Sequence, residues 1–389
     1  MNPVFHAPQA IHTGAGCRSL LPECAANLGW RTVLIVTDAF LVRTGVIQPF
    51  VDQLAERGIA AHIFDSVQAD PTSGNVAFGV KAYQQAQAEG LIAIGGGSPI
   101  DAAKVISASL ANPGPLEQFQ GYHRILRAGP PVIVLPTTAG TGSEATKAAV
   151  ITDTERQVKM MMLDAKLMPR IAIVDYELSL SMPQPLTAHV GVDTLTHGLE
   201  AYVSRKANPL TDPLARSCIE LTAQHLRTAW SEPGNRPARE GMAIAALHGG
   251  MAFTNSGLCL VHGMSRPLGA LFHIPHGLSN AVLLPTVTRY SLPGAPGRYA
   301  EVARMMKLAS ASDSDAEAGE ALVEGLAQLN CDLAVPTLAQ CLNKDHAAFE
   351  RHTRKMAEDG LASGSPANNP RIPAVEEIME LYERAWSQG

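Results

Sequence analysis

The sequence predicts two domains of different class: an α/β domain built on a parallel sheet over residues 1–182, then an all-helical domain over residues 183–389. Short β-branched runs alternate with helix-period stretches in the first half, and no convincing strand follows Leu186. A length of 389 residues also exceeds what one ordinary core organises.

In chain order, the expected strands are Val33-Leu34-Ile35-Val36, Ala61-His62-Ile63-Phe64, Leu91-Ile92-Ala93-Ile94, Val132-Ile133-Val134-Leu135 and Ile171-Ala172-Ile173-Val174. Several are apolar at every position, as strands covered on both faces are. Helical periodicity fills Gly45 to Arg57 and Asn75 to Glu89 between them. Beyond Met182-Pro183 come segments rich in Ala, Leu, Met and Glu. They are punctuated at Glu232-Pro233-Gly234, Leu292 to Gly297 and Gly364-Ser365-Pro366-Ala367. No linker separates the halves, so a tight cleft is expected at the boundary, a favoured place for ligands.

Apolar residues make up 46% and charged residues 17%, the profile of a well-buried globular chain. A net charge of −6 argues against nucleic acid or an anionic membrane as partner. The six cysteines form no C-x-x-C pair, which fits a reducing compartment. Met1 to His6 lacks a basic stretch and an apolar stretch, so no leader peptide is expected. No apolar run is long enough to span a bilayer. These features predict a soluble, cytoplasmic protein.

The strand at Leu91–Ile94 runs into Gly95-Gly96-Gly97-Ser98 and then Pro99-Ile100-Asp101. Three glycines let the backbone approach a bulky anion, and a following helix aims free N–H groups and positive dipole at it. Ser98 is expected as the N-cap, Pro99 as the first helical residue and Asp101 in the capping-box place. A plain strand-to-helix turn needs one glycine, hardly three. The strand at Val132–Leu135 ends in Pro136-Thr137-Thr138-Ala139-Gly140-Thr141-Gly142-Ser143-Glu144, where hydroxyls and glycines again crowd. Alone it reads as a turn; two such loops on one sheet edge point to a nucleotide. Gly14-Ala15-Gly16 lacks the rest of the dinucleotide fingerprint and reads as a structural turn. Asp38, closing a strand, suits the ribose hydroxyls of NAD and would repel the extra phosphate of NADP; a helix N-cap is nearly as good a reading.

Asp193-Thr194-Leu195-Thr196-His197 sets a carboxylate and an imidazole four residues apart, one turn on a helix face. Downstream lie Val261-His262-Gly263 and His273-Ile274-Pro275-His276-Gly277. A lone Asp or His is more often a cap or a satisfied core residue. Four of the thirteen histidines nevertheless fall in or beside these segments, a pattern suited to Fe(II) or Zn(II) but not fixed by spacing.

Gly95 to Asp101, Pro136 to Glu144, Gly191 to Glu200, His262 to Gly277 and the terminal Asn369-Pro370-Arg371 resemble, in the same order, the signature blocks of the iron-containing (group III) alcohol dehydrogenases. The resemblance implies a dinucleotide-binding α/β domain and a helical domain in a dehydroquinate synthase-like architecture, with a metal in the cleft. It implies ligand roles for Asp193, His197, His262 and His276. It implies cofactor roles for Asp38, Gly96, Gly97, Ser98, Asp101, Thr137, Thr138 and Lys159. Leu178-Ser179-Leu180 is expected near the nicotinamide, with an interdomain hinge as its plain reading. Fe(II) is the implied metal, with Zn(II) as the alternative, and the family's habit is a homodimer or larger.

Two departures stand out. Many members carry a second histidine one turn after the third ligand, where this chain has Arg266, and arginine is no proton donor at neutral pH. The relay then falls to His273, beside the ligand His276, or to cofactor ribose and water. Arg266 is expected to pair with an acidic neighbour rather than to bind a carboxylate-bearing substrate. Asp70-Pro71 replaces the family's usual Asn-Pro.

The reaction implied is reversible hydride transfer between a primary alcohol or aldehyde and NAD(H). The rivals are a hydroxyacid–oxoacid transhydrogenase with permanently held NAD, and a sugar-phosphate cyclase or lyase on the same fold. The second should gather cations around a substrate phosphate. Between Asp193 and Gly277 only Arg205, Lys206, Arg216, Arg227, Arg236, Arg239 and Arg266 are available. A non-catalytic binding protein would not need all four ligands.

Overall fold

In the computed structural model, the described residues are 4–156 and 158–387. Met1-Asn2-Pro3, the start of the stretch read as lacking a leader pattern, lies outside them. The chain divides into two compact units, Met1–Leu180 and Ser181–Gly389.

The first unit holds strands β1 (Ala10–Thr13), β2 (Thr32–Val36), β3 (Ala60–Phe64), β4 (Gly90–Gly95), β5 (Gly121–Tyr122), β6 (Val132–Pro136), β7 (Ala148–Asp153), β8 (Val158–Leu163) and β9 (Ile171–Val174). Its helices are α1 (Leu21–Asn27), α2 (Ala39–Arg43), α3 (Gln48–Glu56), α4 (Ser73–Ala86) and α5 (Gly97–Ala111). Six strands form one parallel sheet in the order β1-β9-β6-β4-β2-β3. β4 and β6 are buried at every position, as their unbroken apolar runs require. From β2 the chain steps outward to β3, then returns to β4 on the other side of β2. Between β2 and β4 the winding reverses, and in such sheets ligands collect beyond the carboxyl ends at that point.

The five expected strands are all present. Four further strands escaped the periodicity. β1 precedes the Gly14 turn and pairs with β9, but it is a sheet edge of three partly buried residues and the exposed Thr13. β7 and β8 form an antiparallel pair, extended by β5 into a second, three-stranded sheet. β8, Val158 to Leu163, contains Met160-Met161-Met162, whose residue type carries no strand signature.

The second unit contains, among the described residues, helices and turns only. These are α6 (Gln184–Val203), α7 (Asp212–Ser231), α8 (Arg236–Ser256), α9 (Leu260–Phe272), α10 (His276–Ser291), α11 (Pro296–Met305), α12 (Asp315–Asp332), α13 (Leu338–Cys341), α14 (His346–Glu350), α15 (Thr353–Ala362) and α16 (Val375–Ser387). α6 packs against α7, α8 and α10, and every residue from Gly191 to Val203 is buried. A helix covered on all sides has no solvated face on which to carry charge. Asp193, His197 and Glu200 on it therefore need partners of their own. Among the described residues, no single helix is long and apolar enough to cross a membrane.

Candidate active site

At the carboxyl edge of the first unit's sheet, three adjacent strands present the expected groups. Gly95 and Pro136 lie opposite each other in the β4–β6 register, and Thr137 N donates to Gly95 O at 2.9 Å. The glycine loop and the hydroxyl-rich loop thus leave the sheet side by side. Gly95 has φ +154°, a conformation closed to ordinary side chains, and a Cβ there would strike the Pro99 ring at 2.6 Å.

This turn starts α5 earlier than the sequence indicated. Gly96 is the N-cap, without any side-chain cap hydrogen bond, and Gly97 is the first helical residue. Ser98 and Pro99 follow as second and third. Ser98 is therefore not the cap, and Pro99 is tolerated because first-turn N–H groups have no intrahelical partner. Asp101 is not in a capping box either. Its carboxylate accepts from Ser143 Oγ at 2.6 Å and Val150 N at 2.9 Å, tying α5 to the loop after β6 and to β7.

Lys104, one turn further, is fully buried. It donates to Ser143 O (2.7 Å), Ser143 Oγ (2.8 Å), Thr146 Oγ1 (3.1 Å) and Ala148 O (2.9 Å). Burial lowers its pKa to about 8 against the pull of Asp101 and Glu144. Burial likewise pushes Glu144 up to about 7.

Asp38 Oδ1 caps α2 by accepting from Leu41 N at 3.0 Å, so the N-cap reading is realised at the carboxyl end of β2. Lys159 Nζ stands 2.7 Å from Asp70 Oδ1, which pairs two residues the sequence had treated separately. Leu180 ends the 3₁₀ turn Tyr176–Ser179.

In the second unit, Asp193 and His197 project one turn apart from α6, His262 sits in the first turn of α9, and His276 opens α10. The Nε2 atoms of His197, His262 and His276 lie 3.5, 3.4 and 3.8 Å from Asp193 Oδ1. One ligand atom from each of the four residues falls within 4.8 Å of all the others. Donors about 2.1 Å from a common ion would be about 3.4 Å apart at tetrahedral angles, so the set fits one divalent metal. His276 is 39% exposed while the other three are buried, which leaves the cluster open on its side.

Burial would raise the Asp193 carboxyl, but His197, His276 and His262 around it hold it well below the usual range. Burial also works against a charged His262, yet Glu200 and Asp193 outweigh it and raise its pKa. Phe253 packs its ring 4.5 Å from that of His197. Gly277 is needed for close approach: a Cβ there would lie 2.5 Å from His189 O on α6.

Two buried residues at this cluster were not singled out from sequence. Asn280, one turn after His276, places Nδ2 2.6 Å from Asp193 Oδ1, and 3.1 and 3.2 Å from the Nε2 atoms of His262 and His276. Glu200 lies 2.8 Å from His262 Nδ1. Their signal was spacing, at i+4 from His276 and i+3 from His197, but that spacing also describes ordinary helix packing. Arg266 donates to the Ser365 hydroxyl at 2.9 Å. His273 is exposed at the C-cap of α9, with φ +56°.

The two units of site geometry coincide with two family matches. Residues 8–176 match iron-containing alcohol dehydrogenase, and residues 187–386 match the C-terminal part of the Fe-containing alcohol dehydrogenase family. A 1,3-propanediol dehydrogenase of Citrobacter freundii is 37% identical over 387 residues, covering 99% of this chain and 97% of the relative. An NAD-dependent methanol dehydrogenase of Bacillus methanolicus is 35% identical, covering 98% and 99%. The crystal structure of a 1,3-propanediol oxidoreductase superposes with a TM-score of 0.95 at 36% identity, covering 99% and 100%. The chain belongs to the iron-containing alcohol dehydrogenase family. Its activity is that of a metal-dependent, NAD-linked alcohol dehydrogenase.

Proposed function

We propose that the chain interconverts a small primary alcohol and its aldehyde, with residues 1–182 binding NAD and residues 183–389 holding Fe(II) through Asp193, His197, His262 and His276. The observation that carries this reading is the convergence of one carboxylate and three imidazoles, from three helices, on a single point. One oxygen and three nitrogen donors suit Fe(II), with Zn(II) the alternative. Bound there, the ion supplies Lewis acidity to an alcohol or aldehyde oxygen, and NAD is the hydride carrier.

The chain's own residues do the rest. Gly96, Gly97 and Ser98 offer first-turn N–H groups to the pyrophosphate, and Thr137 and Thr138 add hydroxyls from the neighbouring loop. Asp101 holds that neighbouring loop in place through Ser143. Asp38 takes the adenosine ribose, Lys159 contributes from the Asp70 side, and Leu180 lies by the nicotinamide. His276 combines a ligand role with exposure, and His273 beside it carries the proton that Arg266 does not.

The six free cysteines among the described residues support a reducing cytoplasmic setting, and the family resemblance supports a homodimer or larger assembly. Light scattering checks the assembly. His262→Ala tests the central reading: tightly bound metal and NAD-linked alcohol oxidation with release of NADH are lost, while circular dichroism is unchanged. Wild-type activity that survives complete metal removal refutes it. Metal analysis of protein purified without oxygen, with an alcohol panel, identifies ion and substrate.

A further inference from the structure

Glu200 lies in α6 three residues after His197, 2% exposed, within the stretch Gly191–Val203 that is buried at every position. Both of its oxygens accept. Oε1 takes Val261 N at 2.6 Å and His262 N at 3.4 Å, and Oε2 takes Cys259 N at 2.8 Å. These are N–H groups of the N-cap and first turn of α9, where a helix leaves donors unmatched and its dipole favours negative charge. Cys259, the N-cap, makes no side-chain cap of its own. The fourth partner is different: Oε2 lies 2.8 Å from His262 Nδ1.

We propose that Glu200 is a positioning residue of the metal centre, fixing His262 in the Nδ1–H tautomer so that its Nε2 lone pair faces Asp193, His197 and His276. The inference rests on the metal-site reading above. A neutral imidazole has one N–H and one lone pair. A carboxylate whose two oxygens already receive three backbone N–H groups has no proton to give, so Nδ1 must be the donor. The lone pair then sits on Nε2, the atom 3.4 Å from Asp193 Oδ1. Such outer partners orient metal-bound histidines and raise their basicity. Glu200 also completes the charge count. Asp193 and Glu200 together carry two negative charges against three neutral imidazoles, which matches a divalent ion with no further counter-charge. The same carboxylate anchors the start of α9, so backbone placement and ring orientation of His262 are set by one group.

Glu200→Gln is nearly isosteric but presents an NH₂ to at least one inward-pointing donor. Metal-free protein, wild-type and variant, is titrated with Co(II), read by its visible d–d absorption and by chelator competition. The expected result is a Kd for Co(II) weakened roughly 10- to 100-fold, with a shifted absorption band. Wild-type affinity and band in a folded variant overturn the proposal and leave Glu200 as a cap of α9. If the wild-type protein itself fails to bind Co(II) tightly, the metal-site reading fails first. If Glu200→Gln does not fold, ¹⁵N-histidine NMR of the Zn(II)-loaded wild-type protein decides. A protonated Nδ1 on His262 supports the proposal, and a protonated Nε2 overturns it.

Discussion

Replacing Glu144 by Gln probes the buried charge beside the glycine and threonine loops. Glu144 is 2% exposed in the turn after β6, and burial raises its carboxyl from 4.5 to about 7. Lys104, the nearby cation, is itself lowered to about 8 and spends its hydrogen bonds on Ser143, Thr146 and Ala148. Between pH 4.5 and 7 the folded protein keeps a proton that the unfolded chain releases. Glu144 therefore contributes its full stability below pH 4.5 and loses it as pH rises towards 7. At about 1.4 kcal/mol per pKa unit, the swing is roughly 3 kcal/mol. Glutamine keeps the size and has no proton to lose. Glu144→Gln should match wild type near pH 4.5 and exceed it by roughly 3 kcal/mol at pH 8, about 6–12 °C in the melting midpoint of a unit this size. Thermal unfolding of metal-free protein followed by circular dichroism from pH 5 to 8 measures this. Parallel pH profiles for the two proteins would refute the reasoning, because they would mean that Glu144 is ionised in both states.

Two further outcomes follow from the geometry. Asp38→Asn keeps an equally good cap for α2 but removes the charge, so the melting midpoint should stay within about 1 °C while kcat/KM with NADP rises relative to NAD; an unchanged cofactor ratio excludes Asp38 from ribose recognition. Gly277→Ala drives a methyl to 2.5 Å from His189 O, so α10 must move off α6, carrying His276 from Asp193. Bound metal per chain should fall although all four proposed donors remain, and full occupancy by elemental analysis would show that the contact relaxes freely.

Much of the architecture was legible because burial on both faces leaves a local trace. β2, β4 and β6 read as unbroken apolar runs, and the helical half declared itself by the loss of such runs after Met182. The glycine and threonine loops were equally readable, since a close backbone approach demands particular residue types at consecutive positions. β1, β7 and β8 left weaker traces: edge and half-exposed strands draw their stability from partners distant in the chain. The start of α5 shifted for a similar reason. Ser98, Pro99 and Asp101 each have good first-turn propensities, but the Gly95 turn and the Ser143 and Val150 partners decided where they stand.

The sequence by itself determined the fold class, the family blocks and the four residues now seen around one point. The four residues were named through the resemblance of those blocks, and local spacing by itself linked only Asp193 and His197, which share one helical turn. Only the tertiary structure decided that α9 and α10 bring His262 and His276 to that turn. It also decided that Glu200 meets His262 Nδ1, that the Asn280 amide reaches Asp193, His262 and His276, and that Arg266 meets Ser365. A hydrogen bond between residues 62 positions apart, such as Glu200 to His262, depends on how two helices pack. Nothing in the local pattern of either helix encodes it.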